Sequence, residues 1–543
     1  MSALFETNFV SAVAPAILMV LAAATAHWTG EDTRRMWRQF NALALFALVL
    51  AVVALVTELV AAAVDHGTST GVDGWLAINQ FGAWVSVLVQ LLGAAVGIYS
   101  SKHLEGEPRQ GVYVTSLAAV LAAVHLLLLA NHWVVLIAAW AAIEWAMYGL
   151  LCFYKDRPFA LLAAHKKLVT DLAVDVLLIV AAALAWSQVG SGSFSALWAY
   201  IAAGHTPPQL VWSGVCLALA VIARTALMPV HGWLVQVMEA PTPVSALLHA
   251  GVVNLGGYVL VLFAPLLGVS IGARWLLVVF GLLSATVAGT VLLTRVSQKV
   301  HLAWSTIAQM GFMLLECGLG LYLFAALHLL GHSLYKAHNF LNASSAVKEC
   351  KRKIITGEVQ NAGWSMVLAI PVALAIVFGI QLAIGRLTWP WWWSAVLALA
   401  WAPLLWIPRL QPDRATVATT RLVTALGMTV FLTIAALVVG HAPVGAGVDA
   451  LPTAGEVALC GMALLYLVMV AFQLRPHAMA TFRRWVYAGL YMDEGYTHWV
   501  LRLWPAHWAD ADREARRSIP SSPRRSPRAI HVTLMQHHGP GNT

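Results

Sequence analysis

The chain has 543 residues, of which 60% are hydrophobic and only 10% are charged. A soluble domain uses about a quarter charged residues to cover its surface, so this composition excludes a soluble globular protein. Lipid is therefore expected to be the main solvent of the chain.

Apolar runs of about 20 residues, long enough to cross a bilayer, recur from one end of the chain to the other. Each is predicted to be a helix, because a spanning segment must satisfy its own backbone hydrogen bonds. We expect fourteen or fifteen such helices, since the pair around Pro229 can be read as one broken helix and one full helix. The fifteen predicted spans are 10–27, 40–64, 80–99, 112–130, 132–153, 167–187, 210–228, 243–264, 272–293, 300–319, 321–345, 363–384, 391–408, 420–440 and 455–474.

Lysine and arginine are distributed unevenly between the alternate loops that these spans define. Eighteen fall in one set of loops, with Lys166 and Lys167 among them, whereas the opposite set holds only Arg274 and Arg386. The positive-inside rule then predicts an external N-terminus and a cytoplasmic C-terminus. We expect the membrane to be the inner membrane of a bacterium. The net charge of +8 follows from this topology, and no nucleic-acid surface is needed to explain it.

The last 70 residues differ in composition from the rest of the chain. Residues 475–509 are aromatic and mixed in charge, which is typical of a segment lying along the inner membrane face. Residues 510–543 contain "REARRSIPSSPRRSPR" and have no apolar period. They are predicted to form a disordered basic tail.

A few charged residues fall inside the predicted spans. A charge at the bilayer centre costs at least ~2.5–3.5 kcal/mol, so such residues usually face a polar interior and mark an ion pathway. The basic residues left after the loops and tail are counted are Arg224 and Lys336. Glu144, in the middle of "IAAWAAIEWAMYGL", can pair with Arg224; its alternative role is packing against a neighbouring helix. Asp171 and Asp175 are one helical turn apart and share a face, although Asp171 can also be read as a helix-start acid.

His328, His332 and Lys336 recur every four residues in "LHLLGHSLYKAHNF" and form one polar stripe on an apolar helix. Two histidines at this spacing can bind zinc, but no further ligand lies nearby in the sequence and the five cysteines are scattered, so no metal site is predicted. A proton relay suits the stripe better, because histidine titrates near neutral pH; structural hydrogen bonding is the alternative. Glu316 and His338 are weaker candidates.

The stretch "MEAPTPVSALLHAG" breaks the apolar pattern with proline. Pro229, Pro241 and Pro243 are expected to interrupt helices there, and broken helices are a pointer to transport sites. Glu239 lies in the break, and His249 follows two turns into the next span. We expect His249 to be the first titratable group beyond a hydrated inlet; the alternative is a core histidine bonded to a carbonyl.

Three stretches carry a family resemblance: "ARTALMPVHGWLVQVMEAPTPVSALLHAG", "HLAWSTIAQMGFMLL" and "LHLLGHSLYKAHNFLNASSAV". They resemble signatures of the antiporter-like subunits of respiratory complex I and of Mrp-type cation/proton antiporters. The resemblance implies an all-α polytopic membrane protein with two inverted five-helix repeats, each containing a broken helix. The implied proton pathway comprises Glu144, Asp171, Arg224, His249, His328, His332 and Lys336, with Asp175, Glu239, Glu316 and His338 as further candidates.

The resemblance and the hydropathy pattern together divide the chain into six segments. These are N-terminal transmembrane helices (1–111), a first antiporter-like repeat (112–264), a second repeat (265–410), C-terminal transmembrane helices (411–474), an interfacial cytoplasmic segment (475–509) and a disordered basic tail (510–543).

The sequence departs from the family pattern in three ways. Arg224 stands where the family usually has a lysine, and arginine does not give up its proton in proteins. The later broken helix, expected near 363–384, has no lysine or glutamate to serve as an outer exit residue. The chain also stops soon after the fifteenth predicted span, without the lateral helix of the largest complex I subunit.

Within the superfamily, the length and the ending "RRWVYAGLYMDEGYTHWVLRLWP" look most like the DabB-type subunits of the DAB inorganic-carbon uptake complex. That resemblance implies a partner of the DabA type, a large protein similar to β-carbonic anhydrases that holds zinc. This chain would then be a transporter subunit, without a cofactor or enzymatic activity of its own, that lets protons or sodium ions drive CO2 or bicarbonate uptake. The alternatives are a pumping subunit of a complex I-like or hydrogenase complex, a subunit of a multisubunit Na+/H+ antiporter, and a scaffold that conducts nothing.

Overall fold

A computed structural model describes most of the chain, namely residues 2–28, 32–64, 71–72, 74–343, 361–384, 388–407, 415–439 and 450–506. The predicted tail (510–543) lies outside these residues, as does the predicted loop cation Arg386. The chain divides into two compact units, Met1–His498 and Trp499–Thr543, and the first unit contains every candidate site residue.

The fold is all-α, as predicted, and a helix occupies each of the fifteen predicted spans. The helices are α1 (Ser2–Trp28), α2 (Thr33–Val64), α3 (Gln80–His103), α4 (Gln110–Leu128), α5 (Trp133–Leu151), α6 (Pro158–Val189), α7 (Phe194–Ala202), α8 (Pro208–Arg224), α9 (Gly232–Gln236), α10 (Thr242–Ala250), α11 (Leu255–Leu262), α12 (Ala264–Val269), α13 (Ile271–Leu292), α14 (Gln298–Gly318), α15 (Tyr322–Leu341), α16 (Gly363–Ala383), α17 (Trp391–Trp401), α18 (Ala415–Val439), α19 (Pro452–Leu474), α20 (Ala480–Tyr487) and α21 (Met492–Leu503). Two-residue strands, β1 (Gly71–Val72) and β2 (Leu76–Ala77), pair in antiparallel fashion before α3.

Within the described residues, eleven helices are long and apolar enough to cross a membrane. The remaining predicted spans fall short for two reasons. Helix α8 and the helical segment that begins with α17 are apolar but shorter, whereas α14 and α15 have 21 and 20 residues but carry polar side chains. The chain is thus a multi-pass membrane protein, and α15, one of these two polar long helices, carries the predicted histidine stripe.

The predicted backbone break lies where the prolines indicate. Helix α8 ends at Arg224, and α10 begins only at Thr242, with Pro243 in its first turn, where a missing N–H costs nothing. A second interruption follows at 251–254, where a 3-10 turn separates α10 from α11. This second interruption places a polar residue, Asn254, inside a buried segment.

The break predicted near 363–384 is wrong. Helix α16 runs without interruption from Gly363 to Ala383 and includes Pro371. Transmembrane helices tolerate an internal proline when neighbouring groups satisfy the freed backbone carbonyl. The interruption in this half occurs later, where α17 passes into the 3-10 turn Ala402–Leu405.

Helices α13 and α14 approach each other through facing glycines. A Cβ atom on Gly281 would lie 2.7 Å from the carbonyl oxygen of Gly311, and a Cβ on Gly311 would lie 2.7 Å from the amide nitrogen of Ala285. Small residues of this kind let transmembrane helices pack closely. The contact fixes the position of α14, which carries Glu316.

We expect Gly311→Ala to lower the free energy of unfolding by about 1–3 kcal/mol, because the added methyl group overpacks the α13–α14 contact. Thermal unfolding of the purified protein in detergent measures the change. Gly379→Ala on α16 is the matched control, since a Cβ there meets nothing within 4 Å. Equal losses in the two variants would contradict the assigned role of the glycine contact.

Candidate ion pathway

Five charged side chains from α5, α6 and α8 meet in one place, here called the charge cluster. The Glu144 carboxylate contacts the Lys167 ammonium group, and its Oε1 lies 3.3 Å from Arg224 Nε. Asp171 places Oδ2 2.6 Å from Lys167 Nζ and Oδ1 3.7 Å from Arg224 Nε. Arg224 also donates through Nη2 to Asp175 Oδ1 at 3.2 Å. The predicted pairing of Glu144 with Arg224 is therefore present.

The charge cluster is buried and unbalanced. Glu144, Lys167, Asp171 and Arg224 are each at most 9% exposed, and Asp175 is partly buried. With every group ionised, three carboxylates face two cations and leave one excess negative charge. Uncompensated charge is costly away from water. One proton or one monovalent cation entering the cluster would balance it.

Aromatic rings flank the two cations of the charge cluster. The Arg224 guanidinium lies 4.8 Å from the centroid of the Trp140 ring. Lys167 Nζ lies 5.3 Å from the Trp233 ring. The negative face of an aromatic ring attracts a cation without supplying a full countercharge. The rings therefore stabilise both cations and leave the excess negative charge in place.

Three sequence predictions about charged residues are corrected here. Lys166 and Lys167 are not loop cations: both are buried in α6. Arg274 is not in a loop either, since it lies in α13 and donates through Nε to the carbonyl oxygen of Gly318 at 3.1 Å. Asp171 is not a helix-start acid, because α6 begins at Pro158, more than three turns earlier. The spacing of Lys167 and Asp171 by four residues was the signal that could have shown their pairing.

The predicted stripe on α15 forms a second group, here called the histidine row. His328 Nδ1 lies 2.9 Å from Glu316 Oε2 of α14. The ring centroids of His328 and His332 are 6.0 Å apart. Lys336 Nζ donates to the carbonyl oxygen of Leu302 at 2.9 Å. Glu316, a weaker candidate in the sequence, is thus a direct partner of the row.

His249 of α10 joins the histidine row from the side. Its ring stacks on Phe340 with centroids 4.7 Å apart, and it interacts electrostatically with Lys336 and His332. Both ring nitrogens of His249 and of His332 are buried, with no hydrogen-bond partner among the described residues. Buried polar atoms nearly always have a partner, so these rings suit ordered water.

The last two candidates lie apart from both groups. His338 is exposed and pairs its Nε2 with the Asn342 side-chain amide at 2.9 Å. Glu239 is exposed, and its carbonyl oxygen accepts a hydrogen bond from Arg157 at 2.8 Å. The contacts of the described residues therefore form two groups, and the single proton pathway that the resemblance implies stays a prediction. Across the described part of the chain, no group of three His, Cys, Asp or Glu side chains is placed to hold a metal ion.

The segment after the last span is fastened beside the charge cluster. Asp493 of α21 contacts the Lys166 ammonium group and accepts a hydrogen bond from Gln236 Nε2 at 3.0 Å. Lys166 also donates to Thr497 Oγ1 at 2.8 Å, and Tyr496 donates to the carbonyl oxygen of Lys166 at 3.1 Å. Burial raises the pKa of the Tyr496 hydroxyl, which keeps it a neutral donor. Sequence reasoning missed this anchor.

Both groups lie in a region that matches a known family. Residues 130–385 match the family described as NADH:quinone oxidoreductase/Mrp antiporter, transmembrane. The chain is 35% identical over 454 residues to the probable inorganic carbon transporter subunit DabB of Hydrogenovibrio crunogenus, covering 79% of this chain and 85% of that protein. The chain belongs to the antiporter-like membrane-subunit family that includes DabB. The predicted family is confirmed.

Other members of the antiporter-like family show the same relationship. The probable inorganic carbon transporter subunit DabB2 of Halothiobacillus neapolitanus is 31% identical over 537 residues, covering 94% of this chain and 96% of that protein. NADH-quinone oxidoreductase subunit L of Mycobacterium tuberculosis is 33% identical over 279 residues, covering 51% of this chain and 44% of that protein. A chain of the Mrp complex from Dietzia sp. DQ12-45-1b shares the fold, with a TM-score of 0.55 and 20% identity, covering 96% of this chain and 57% of that chain.

We expect Asp493→Asn to lower the free energy of unfolding by about 2 kcal/mol, because Lys166 loses its charged hydrogen-bond acceptor while staying buried. Thermal unfolding of the purified protein tests this. Glu494→Gln is the matched control, because Glu494 is the neighbouring acid but is exposed. If Asp493→Asn unfolds at the same temperature as the control, the anchor does not contribute to stability.

Proposed function

We propose that this chain conducts protons or sodium ions down their gradient. We further propose that this flow drives CO2 or bicarbonate uptake by a zinc-containing, carbonic-anhydrase-like partner of the DabA type. The observation that carries the conduction step is the excess negative charge of the buried charge cluster, which makes it an acceptor for a cation. The names of the two DabB relatives support inorganic carbon as the transported substance.

Within the charge cluster, the residues divide by what they can do. Arg224 keeps its proton and acts as a fixed positive charge. Lys167 is a lysine in direct contact with Glu144, so it supplies an amine that can exchange a proton where Arg224 cannot. Glu144 therefore has two cationic partners, of which Arg224 keeps its charge and Lys167 can lose a proton. We propose that protonation within the cluster weakens the Glu144–Arg224 pair and so changes the field on the histidine row.

Charged side chains that are in direct contact interact strongly enough to act as a switch. Two unit charges 4 Å apart interact by about 4 kcal/mol at an effective dielectric constant of 20. That energy changes a neighbour's protonation equilibrium by a factor of roughly 1000. A charge that appears on one side chain can thus alter the protonation of a neighbouring side chain, which lets a proton advance stepwise.

The proposed setting is the bacterial inner membrane, with the N-terminus outside and the C-terminus in the cytoplasm. When Lys166, Lys167 and Arg274 are removed from the count of loop cations, most of the remaining loop lysines and arginines still lie on the proposed cytoplasmic side. In this proposal the zinc chemistry belongs to the partner. The residues Asp171, Asp175, His249, His328, His332 and Lys336 are proposed to form the rest of the pathway with Glu144 and Arg224.

A second candidate function is a redox-driven pump subunit of a complex I-like or hydrogenase complex. The 33% identity to NADH-quinone oxidoreductase subunit L favours it, but that similarity covers only 51% of this chain. The similarity to DabB2 covers 94% of the chain, and for that reason we prefer carbon uptake.

Glu144→Gln is expected to abolish cation flux and carbon uptake without preventing assembly, because glutamine keeps the size of the side chain but neither pairs as an ion nor takes up a proton. Flux is measured in liposomes that contain the purified complex and a pH-sensitive or sodium-sensitive dye. Glu105→Gln, at an exposed acid outside the spans, is the control. Wild-type flux in the Glu144 variant would refute the proposed role of the charge cluster.

Affinity purification of the tagged chain is expected to recover a zinc-containing protein similar to β-carbonic anhydrases. Mass spectrometry identifies the proteins that accompany the chain, and metal analysis measures zinc in the complex. Recovery of quinone-site and iron–sulfur subunits instead would favour the pump. Recovery of the carbonic-anhydrase-like protein by a chain that conducts no ions would favour a scaffold.

A further inference from the structure

A second series of polar side chains starts at the histidine row and leads away from the charge cluster. It begins at Asn254, in the interruption between α10 and α11. The Asn254 amide donates to Ser333 Oγ at 2.6 Å, and Ser333 adjoins His332 in α15. Asn254 is 2% exposed, and its Oδ1 has no hydrogen-bond partner within the described residues. The interruption thus places an amide with an unused acceptor beside the row.

One helical turn beyond Asn254, the series continues through Tyr258. The Tyr258 hydroxyl donates to the carbonyl oxygen of Leu128 at 2.9 Å and accepts from Asn79 Nδ2 at 3.1 Å. Asn79 is the N-cap of α3, and its Oδ1 accepts the amide of Gly82 at 2.6 Å. Helix α3 begins at the face of the first unit where α1 begins and α2 ends, here called the N-terminal face. The series therefore reaches from the buried row toward that face.

Asn79 also borders a cavity of about 20 Å³. That volume is sufficient for a single water molecule. The other polar side chains in the cavity wall are Ser86 and His125. His125 is 1% exposed and pairs its Nδ1 with Ser86 Oγ at 3.1 Å and its Nε2 with Gln90 Oε1 at 2.8 Å. A water in this cavity would have polar neighbours from α3 and α4.

An acid lies beyond the cavity, near the N-terminal face. Ala12 of α1 and Ala54 of α2 line the cavity. Asn8 lies one turn before Ala12 and Glu58 one turn after Ala54, so both are closer to the N-terminal face than the cavity is. Asn8 Nδ2 donates to Glu58 Oε2 at 2.8 Å. Glu58 is six residues from the end of α2 at Val64. Glu58 is only half-buried near this end of α2, as proton exchange at the N-terminal face requires.

We propose that these residues form the outer half of the ion path, in which protons pass between the histidine row and the N-terminal face. This inference rests on the proposed function and applies to protons. The hydroxyl of Tyr258, a water in the cavity, the His125 ring and the Glu58 carboxylate carry the proton, because each can both give and accept one. Asn254 and Asn79 position them. The series supplies an outer exit that residues 363–384 do not offer.

Tyr258→Phe tests the series, because it removes the hydroxyl and keeps the ring. Tyr466→Phe is the matched control: the Tyr466 hydroxyl likewise donates to a carbonyl oxygen, that of Met366 at 2.7 Å, and accepts from a side chain, Trp406 Nε1, at 2.9 Å. Ala83→Val is a second test, since Ala83 lines the cavity and valine would fill the space for water. Proton flux is measured in liposomes holding each purified complex, and thermal unfolding is measured alongside.

We expect Tyr258→Phe and Ala83→Val to lower proton flux by roughly tenfold or more, as for loss of a positioned proton-transfer group, while Tyr466→Phe conducts like the wild type. If Ala83→Val and Tyr258→Phe conduct protons like the wild type while Glu144→Gln conducts none, the outer path is overturned. The proposed function is then unaffected. An equal loss in Tyr466→Phe would also overturn it, because the effect would then be structural. Wild-type liposomes that conduct no better than empty ones would overturn both proposals. If Tyr258→Phe does not assemble, the Ala83→Val result decides.

Discussion

The cost of placing charge away from water is the constraint on which this molecule depends. Glu144, Lys167, Asp171 and Arg224 are each nearly buried, and their mutual pairing offsets part of the cost of taking each charge out of water. Their pairing requires α5, α6 and α8 to meet at one level. It also requires α8 to end where it does, since Arg224 is its last residue. Packing of α5, α6 and α8 and the chemistry of the charge cluster thus have one physical cause.

Interruptions of the backbone bring polar side chains together at the histidine row, as charge pairing does at the charge cluster. A continuous apolar helix has no free polar groups to offer inside a membrane. The interruptions before Thr242 and after Ala250 isolate α10, whose His249 joins the histidine row, and leave Asn254 beside Ser333. Polar side chains therefore continue past the row, where uninterrupted helices would have placed apolar contacts.

The C-terminal segment is connected to α6 beside the charge cluster. Asp493 binds Lys166, and the next residue, Lys167, binds Glu144. Two adjacent lysines on α6 thus face in different directions, one toward the anchor and one toward the charge cluster. The similarity to DabB2 extends over 94% of the chain, well beyond the 130–385 match.

Hydropathy, proline positions and residue spacing determined the helices, the first backbone break and the stripe on α15, because these depend on neighbours within one segment. The family followed from the resemblance of three stretches to known signatures. Only the tertiary structure decided which groups meet. Lys167 was predicted to be a loop cation, because the sequence pattern of a lysine at a helix end is the same whether the lysine faces water or a carboxylate from another helix. The break expected near 363–384 followed from the family resemblance, and the sequence does not show which neighbours satisfy the carbonyl that Pro371 frees in a continuous helix. His125 and Tyr258 gave no signal at all, since hydrogen bonds between residues as far apart as Asn79 and Tyr258 exist only after the helices have packed.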